Sequence, residues 1–75
     1  MTGAQARMAR AALKMSVREL AAAAGVSPNT VTRIESDASS NTSTIAAIRR
    51  ALESAGVTFI AENGEGPGVM LRKGK

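Results

Sequence analysis

Between Ser16 and Ser36, helix start and stop signals follow one another so closely that the chain has little conformational choice. Ser16-Val-Arg-Glu19 has the form of a capping box: the serine hydroxyl takes the amide three residues on, and the glutamate side chain returns to the serine amide. The helix it opens runs through Leu20 and Ala21 to Ala24 and stops at Gly25, because glycine takes left-handed backbone without a steric penalty. Only Val26 then precedes Ser27-Pro28, an N-cap followed by proline at the first helical position, where a missing amide costs nothing. Two helices joined by so short a turn must pack at a steep angle. That requires a small residue at the crossing (Ala21), a permissive turn residue (Gly25), an apolar plug (Val26) and inward anchors on the second helix (Val31 and Ile34), all of which are present. The second helix is expected to end near Ser36.

The flanking segments add further helices and then change character. Residues 4–14 are rich in strong helix formers, with Gln5, Met8, Ala9, Ala12 and Leu13 on one stripe and Arg7, Arg10, Ala11 and Lys14 largely opposite. Asp37 to Thr42 is polar and loop-like, and Asn41 or Thr42 is expected to cap a helix over residues 43–55. Its inward residues are Ile45, Ile48 and Leu52, and Gly56 closes it. Arg49 and Arg50 read as a solvated face. Val57 to Ala61 is β-branched and aromatic and reads as a strand. Asn63 to Gly68 has turn chemistry, and Val69 to Arg72 reads as a second strand. Gly64, Gly66 and Gly68 lack the strand-to-helix context of a phosphate loop.

Composition removes whole classes of chemistry. The chain contains no His and no Cys, which excludes triad-type nucleophilic catalysis, thiolate metal sites and disulfides. The six acids are scattered. The expectation is therefore a protein that is not an enzyme and carries no cofactor and no metal. Ten Lys and Arg against six acids leave a net charge of +4, which suits a polyanion partner. No apolar run approaches the ~20 residues of a membrane span, and the N-terminus lacks a secretory core, so a cytoplasmic location is expected. A chain of 75 residues buries only about 60% of its unfolded surface and gains from dimerisation.

Leu20-Ala21, Ala24-Gly25-Val26-Ser27, Val31, Arg33-Ile34-Glu35, Thr44-Ile45 and Ala51-Leu52 followed by Gly56-Val57 together resemble the Cro/repressor-type (XRE) helix-turn-helix family, over about residues 5–57. The resemblance implies a mainly α fold: a four-helix Cro/repressor-like helix-turn-helix domain with a short C-terminal β-hairpin. Residues 1–56 would form the DNA-binding domain, and residues 57–75 a hairpin or dimerisation extension with a frayed tail. It also implies double-stranded DNA as partner, with the helix over about residues 28–36 in the major groove. Ser27, Pro28, Asn29, Thr32, Arg33 and Ser36 would then face base edges, with Arg33 suited to guanine and Asn29 to adenine. Ser16, Arg18, Ser40, Asn41 and Thr42 would hold phosphates. An ion pair between Arg10 and Glu35 is implied as well.

Members of this family bind paired half-sites, so a homodimer is expected. Alternation puts Val57, Phe59 and Ala61 on one strand face, with Val69 and Leu71 able to join them, and these residues are expected to form the dimer interface. The competing arrangement folds the hairpin over its own helices. The leading functional expectation is a sequence-specific transcriptional regulator. The other is a protein-interaction module of the same fold, an antitoxin or antiactivator with a protein partner.

Overall fold

A computed structural model describes residues 1–61 and 64–72. Four helices precede two strands: α1 (Gly3–Ala12), α2 (Val17–Ala24), α3 (Pro28–Glu35), α4 (Thr42–Ala55), β1 (Val57–Ile60) and β2 (Gly68–Leu71). The expected mainly helical fold with a terminal hairpin is what the chain adopts. Asn63 and residues 73–75 lie outside the described residues.

Each helix begins at a side-chain cap. Ser16 and Glu19 form the capping box of α2, Ser27 caps α3 ahead of Pro28, and Asn41 caps α4. A second capping box, between Thr2 and Gln5, starts α1 at Gly3 rather than residue 4. Three of the helix ends, those of α1, α2 and α3, share one device. Gly25 is left-handed at φ 73° and the Val26 amide reaches back to the Ala21 carbonyl. The same backward closure ends α1 through Lys14 (φ 58°), with Met15 N–H donating to the Arg10 carbonyl. It ends α3 through Asp37 (φ 61°), with Ala38 N–H donating to the Arg33 carbonyl.

The core joins all four helices and the hairpin: Ala9, Leu20, Ala21, Val31, Ile34, Ile48, Leu52 and Val57. Ala21 supplies the small surface where α2 meets α3, as the short turn demands. Ile45 packs against this cluster from its edge. On α1 the buried stripe is Gln5, Ala6 and Ala9, whereas Met8 and Ala12 are exposed. Of the expected stripe, Ala9 and Gln5 are buried while Met8 and Ala12 are not, and Ala6 takes their place; Gln5 is held there by hydrogen bonds. Its side-chain amide donates to the carbonyls of Ile60 (3.0 Å) and Gly68 (2.9 Å), which tethers the mouth of the hairpin to α1.

β1 and β2 pair antiparallel with Val57 opposite Leu71, Thr58 opposite Met70, Phe59 opposite Val69 and Ile60 opposite Gly68. The hairpin folds over the chain's own helices. Val57 is fully buried in the core, and Phe59 and Val69 pack against it. The face expected to meet a second copy is thus the inward one, and Val57 has no surface to offer. Ala61 and Leu71 remain exposed at the ends of that face. Arg49, expected to be solvated only, lies over the Phe59 ring, 5.4 Å from its centroid, and pairs with Glu53. Arg72 fastens the other end of the hairpin, its guanidinium donating to the carbonyls of Val57 and Glu53.

Lys14 holds a left-handed conformation in which a Cβ is strained by about 1–2 kcal/mol. Lys14→Gly is expected to stabilise the domain by about 1 kcal/mol, since glycine's greater unfolded-state freedom offsets part of the relief. A thermal melt checks this: a rise of roughly 4–8 °C is expected, and an unchanged or lower midpoint counts against it.

Candidate nucleic-acid interface

α3 shows two sides that differ sharply in chemistry. Val31, Ile34 and Glu35 are buried, while Asn29, Thr32, Arg33 and Ser36 are exposed at helical spacing, with Ser27 and Pro28 exposed at the N-terminal end. All six residues expected to face DNA are therefore exposed to solvent.

Their side chains are not equally free. Ser27 is committed to its cap: its hydroxyl oxygen accepts from Thr30 N–H and pairs with the Thr30 hydroxyl at 2.9 Å. The Ser36 hydroxyl donates back to the Thr32 carbonyl at 3.0 Å. The Arg33 guanidinium donates to the Ser39 carbonyl at 3.0 Å. Among the described residues, the Asn29 and Thr32 side chains have no intramolecular hydrogen-bond partner. They are the polar groups on this face with donors and acceptors to spare.

What holds this face outward lies at the far end of α3. The Glu35 carboxylate accepts two bonds from the Arg10 guanidinium, at 2.7 and 3.1 Å, and its side chain is only 8% exposed. Arg10 also donates to the Met15 carbonyl at 3.1 Å. The hydrogen bond that Arg10 donates to Glu35, more than burial, sets the balance at Arg10 and raises its pKa above the ordinary value. Arg7 donates to the Glu35 backbone carbonyl, and Gly3 N–H donates to the Asp37 carboxylate at 2.9 Å. A Cβ at Gly3 would lie 2.6 Å from the Glu35 carbonyl oxygen. Glycine here permits a close approach, while the backbone itself is ordinary helix. The implied Arg10–Glu35 pair is therefore present. Arg7, Gly3 and Asp37 complete the junction and were not singled out from sequence. Only Arg7, one turn before Arg10 on the same side of α1, carried a signal that could have found it.

The residues expected to hold phosphates lie at two helix starts. At α2, Ser16 accepts from Glu19 N–H through its side chain, and the Ser16 amide donates to the Glu19 carboxylate at 2.7 Å. That amide is taken, while the Ser16 hydroxyl proton is not. Arg18 is exposed on the first turn of α2, with no intramolecular partner among the described residues. At α4, Asn41 accepts from Thr44 N–H and from the hydroxyls of Ser43 and Thr44, so the cap is rigid. Thr42 is exposed at its first turn, and Ser40 is half-buried in the loop before it.

A short helix clasped to the core by one side, with a capped N-terminus and a polar outer face, is the geometry of a helix-turn-helix. The chain matches the family described as Helix-turn-helix over residues 7–57 and belongs to it, in its Cro/repressor-type branch. The family is DNA-binding. A comparison with curated proteins gave no match. No helix among the described residues is long and apolar enough to cross a membrane.

Replacing Glu35 by Gln keeps the volume but removes the charge that Arg10 is paired with. Breaking one partner of a buried pair costs about 3–5 kcal/mol. Because the Arg10 side chain is 24% exposed and partly rehydrated on its own, a loss nearer 2 kcal/mol is expected. Urea denaturation measures it, and a midpoint equal to wild type would mean the pair does not hold α3.

Proposed function

We propose that the protein is a sequence-specific regulator of transcription that binds double-stranded DNA as a homodimer. The observation that carries this reading is the outer face of α3, where Asn29 and Thr32 stand unpartnered on a helix whose opposite side is locked into the core. A helix of this size enters the major groove, about 12 Å wide, with its N-terminal residues toward base edges. Ser27, Pro28, Asn29, Thr32, Arg33 and Ser36 form the face turned to the groove. Direct hydrogen bonding to base edges falls to Asn29 and Thr32. Ser16 and Arg18 at α2, and Ser40, Asn41 and Thr42 at α4, flank this face and take the backbone phosphates. The excess of basic residues supplies the long-range attraction.

The proposed dimer uses the outward side of the hairpin, which differs from the side that alternation first suggested. Ile60 and Met70 are exposed on that side, diagonal to one another in the register. The strands Val57–Ile60 and Gly68–Leu71 carry no charge in a chain of net charge +4, so two copies can approach here with little repulsion. A two-stranded sheet leaves an open edge on each strand, which a second copy can cover. A foreign protein captured by the same surface is the second reading.

Duplexes selected by the wild-type protein from a randomised library test the DNA reading. Binding is expected to weaken steeply with salt. Asn29→Ala is expected to lose about 1–3 kcal/mol of discrimination at one base pair, as measured on single-base variants of the selected duplex. Selection of no sequence at low salt, or an unchanged preference in the variant, would overturn it. For assembly, sedimentation of the Ile60→Lys, Met70→Lys double variant is expected to show monomer where wild type shows dimer, with folding retained because both side chains are exposed. A variant that still sediments as a dimer places the interface elsewhere. A wild-type chain that is monomeric alone and dimerises only with another protein favours the second reading.

A further inference from the structure

Arg33 is the one cation on the outer face of α3, and its chemistry suits a guanine edge. The structure gives it a different engagement. Its guanidinium donates to the Ser39 carbonyl at 3.0 Å, while its own backbone carbonyl accepts the Ala38 amide at 2.9 Å. Two successive residues of the segment between α3 and α4 are thus gripped by one residue. Asp37, at the start of that segment, is held by its left-handed closure onto Ile34 and by Gly3 N–H on its carboxylate. Asn41, at the other end, is locked by the α4 cap. Ser39 lies between these anchors, and the Arg33 side chain is the group that ties it down. Immediately after it come Ser40, Asn41 and Thr42, the segment assigned above to a phosphate.

We infer that Arg33 is a positioning residue for the phosphate-binding segment 40–42, acting on DNA through the Ser39 carbonyl and not at a base edge. This rests on the DNA-binding reading above and deepens it. A guanidinium has five N–H donors in a fixed fork, so it can hold the carbonyl and keep donors over for a phosphate oxygen beside the same loop. A guanidinium held at the Ser39 carbonyl is turned toward the loop after α3, whereas base edges are met chiefly from the N-terminal half of a recognition helix. Base-specific and loop-positioning roles differ in what they predict. A base reader lost to Ala relaxes preference at one base pair and leaves the free protein unchanged. A positioning residue lost to Ala loosens the loop in the free protein and weakens all duplexes by a common factor.

The test compares wild type, Arg33→Ala and Arg33→Lys. In the DNA-free proteins, amide exchange and backbone NMR relaxation at Ser39 to Thr42 are expected to show faster exchange and greater mobility in the Ala variant, with partial recovery in the Lys variant. Melting temperatures should be alike, since Arg33 is exposed. On the duplex selected by wild type and on its single-base variants, Arg33→Ala is expected to weaken binding about tenfold throughout, the scale of one lost charge-assisted hydrogen bond. The rank order of the duplexes should be kept. An unchanged loop in the Ala variant, or a loss confined to one base pair, overturns the inference and leaves the DNA-binding reading intact. Failure of wild type to select any duplex overturns that reading itself, and this inference with it.

Discussion

The bidentate contact between Arg10 and Glu35 is the constraint on which the rest of the arrangement turns. α3 spans Pro28–Glu35, far too short to be stable by its own backbone bonds. Val31 and Ile34 hold it by one side, but two apolar side chains on one helix allow it to roll and slide. Glu35, the last residue of α3, removes that freedom because a guanidinium fork and a carboxylate fit in one plane only. A carboxylate at a helix C-terminus is unfavourable in the field of the helix, so Glu35 is at home there only with Arg10 beside it. Arg7 adds a donor to the Glu35 carbonyl, and the missing Cβ of Gly3 lets the start of α1 come up against the same turn. The direction in which Asn29 and Thr32 point is thus set from the opposite end of their helix.

α1 works on two neighbours at once. Arg7 and Arg10 hold α3, while Gln5 holds the hairpin through the carbonyls of Ile60 and Gly68. Gln5 is only 4% exposed, and its polar atoms are occupied: its oxygen accepts from Thr2 N–H and its amide nitrogen donates twice. A buried amide so satisfied costs little and fixes a register that apolar packing alone would leave loose. Arg72 does the same at the far end of the hairpin, against α4. A two-stranded sheet is marginal alone. Here it is fastened at both ends by polar side chains and along its inner face by Val57, Phe59 and Val69.

The helix-turn-helix was legible because its signals are local. A cap, a glycine and a proline within a dozen residues each act on their immediate neighbours, and Gly25 takes the left-handed conformation its type favours. The same closure at Lys14 and Asp37 was not legible, because nothing in a lysine or an aspartate announces positive φ. At Asp37 the carboxylate's bond to Gly3 N–H comes from 34 residues away in the chain. On α1, helical spacing places Gln5 and Ala9 on the inward side, but the exposure of Met8 and Ala12 and the burial of Ala6 depend on where α3 and the hairpin pack, which no period along α1 contains. Of the outer face of α3, position was readable from helical spacing. Which side chains are already engaged was not, since Arg33 meets Ser39 through a loop whose path depends on tertiary structure.

Alternation along β1 was read correctly, yet it could not say which of its two faces turns inward. That choice is made one residue earlier. Gly56, at φ 123°, ends α4 and delivers Val57 directly into the cluster that holds Leu52 and Ile48. With Val57 inside, a period of two sends Thr58 and Ile60 outward, and the pairing of Thr58 with Met70 puts Met70 on the same side. One residue added between Gly56 and Val57 would exchange the two faces and send Phe59 into solvent. Which side of the hairpin stays open to solvent is therefore decided at the end of α4. Cutting the chain at Gly56 would take Val57 out of the core along with the hairpin, so assembly can be separated from folding only by substitutions on the outward side of the strands.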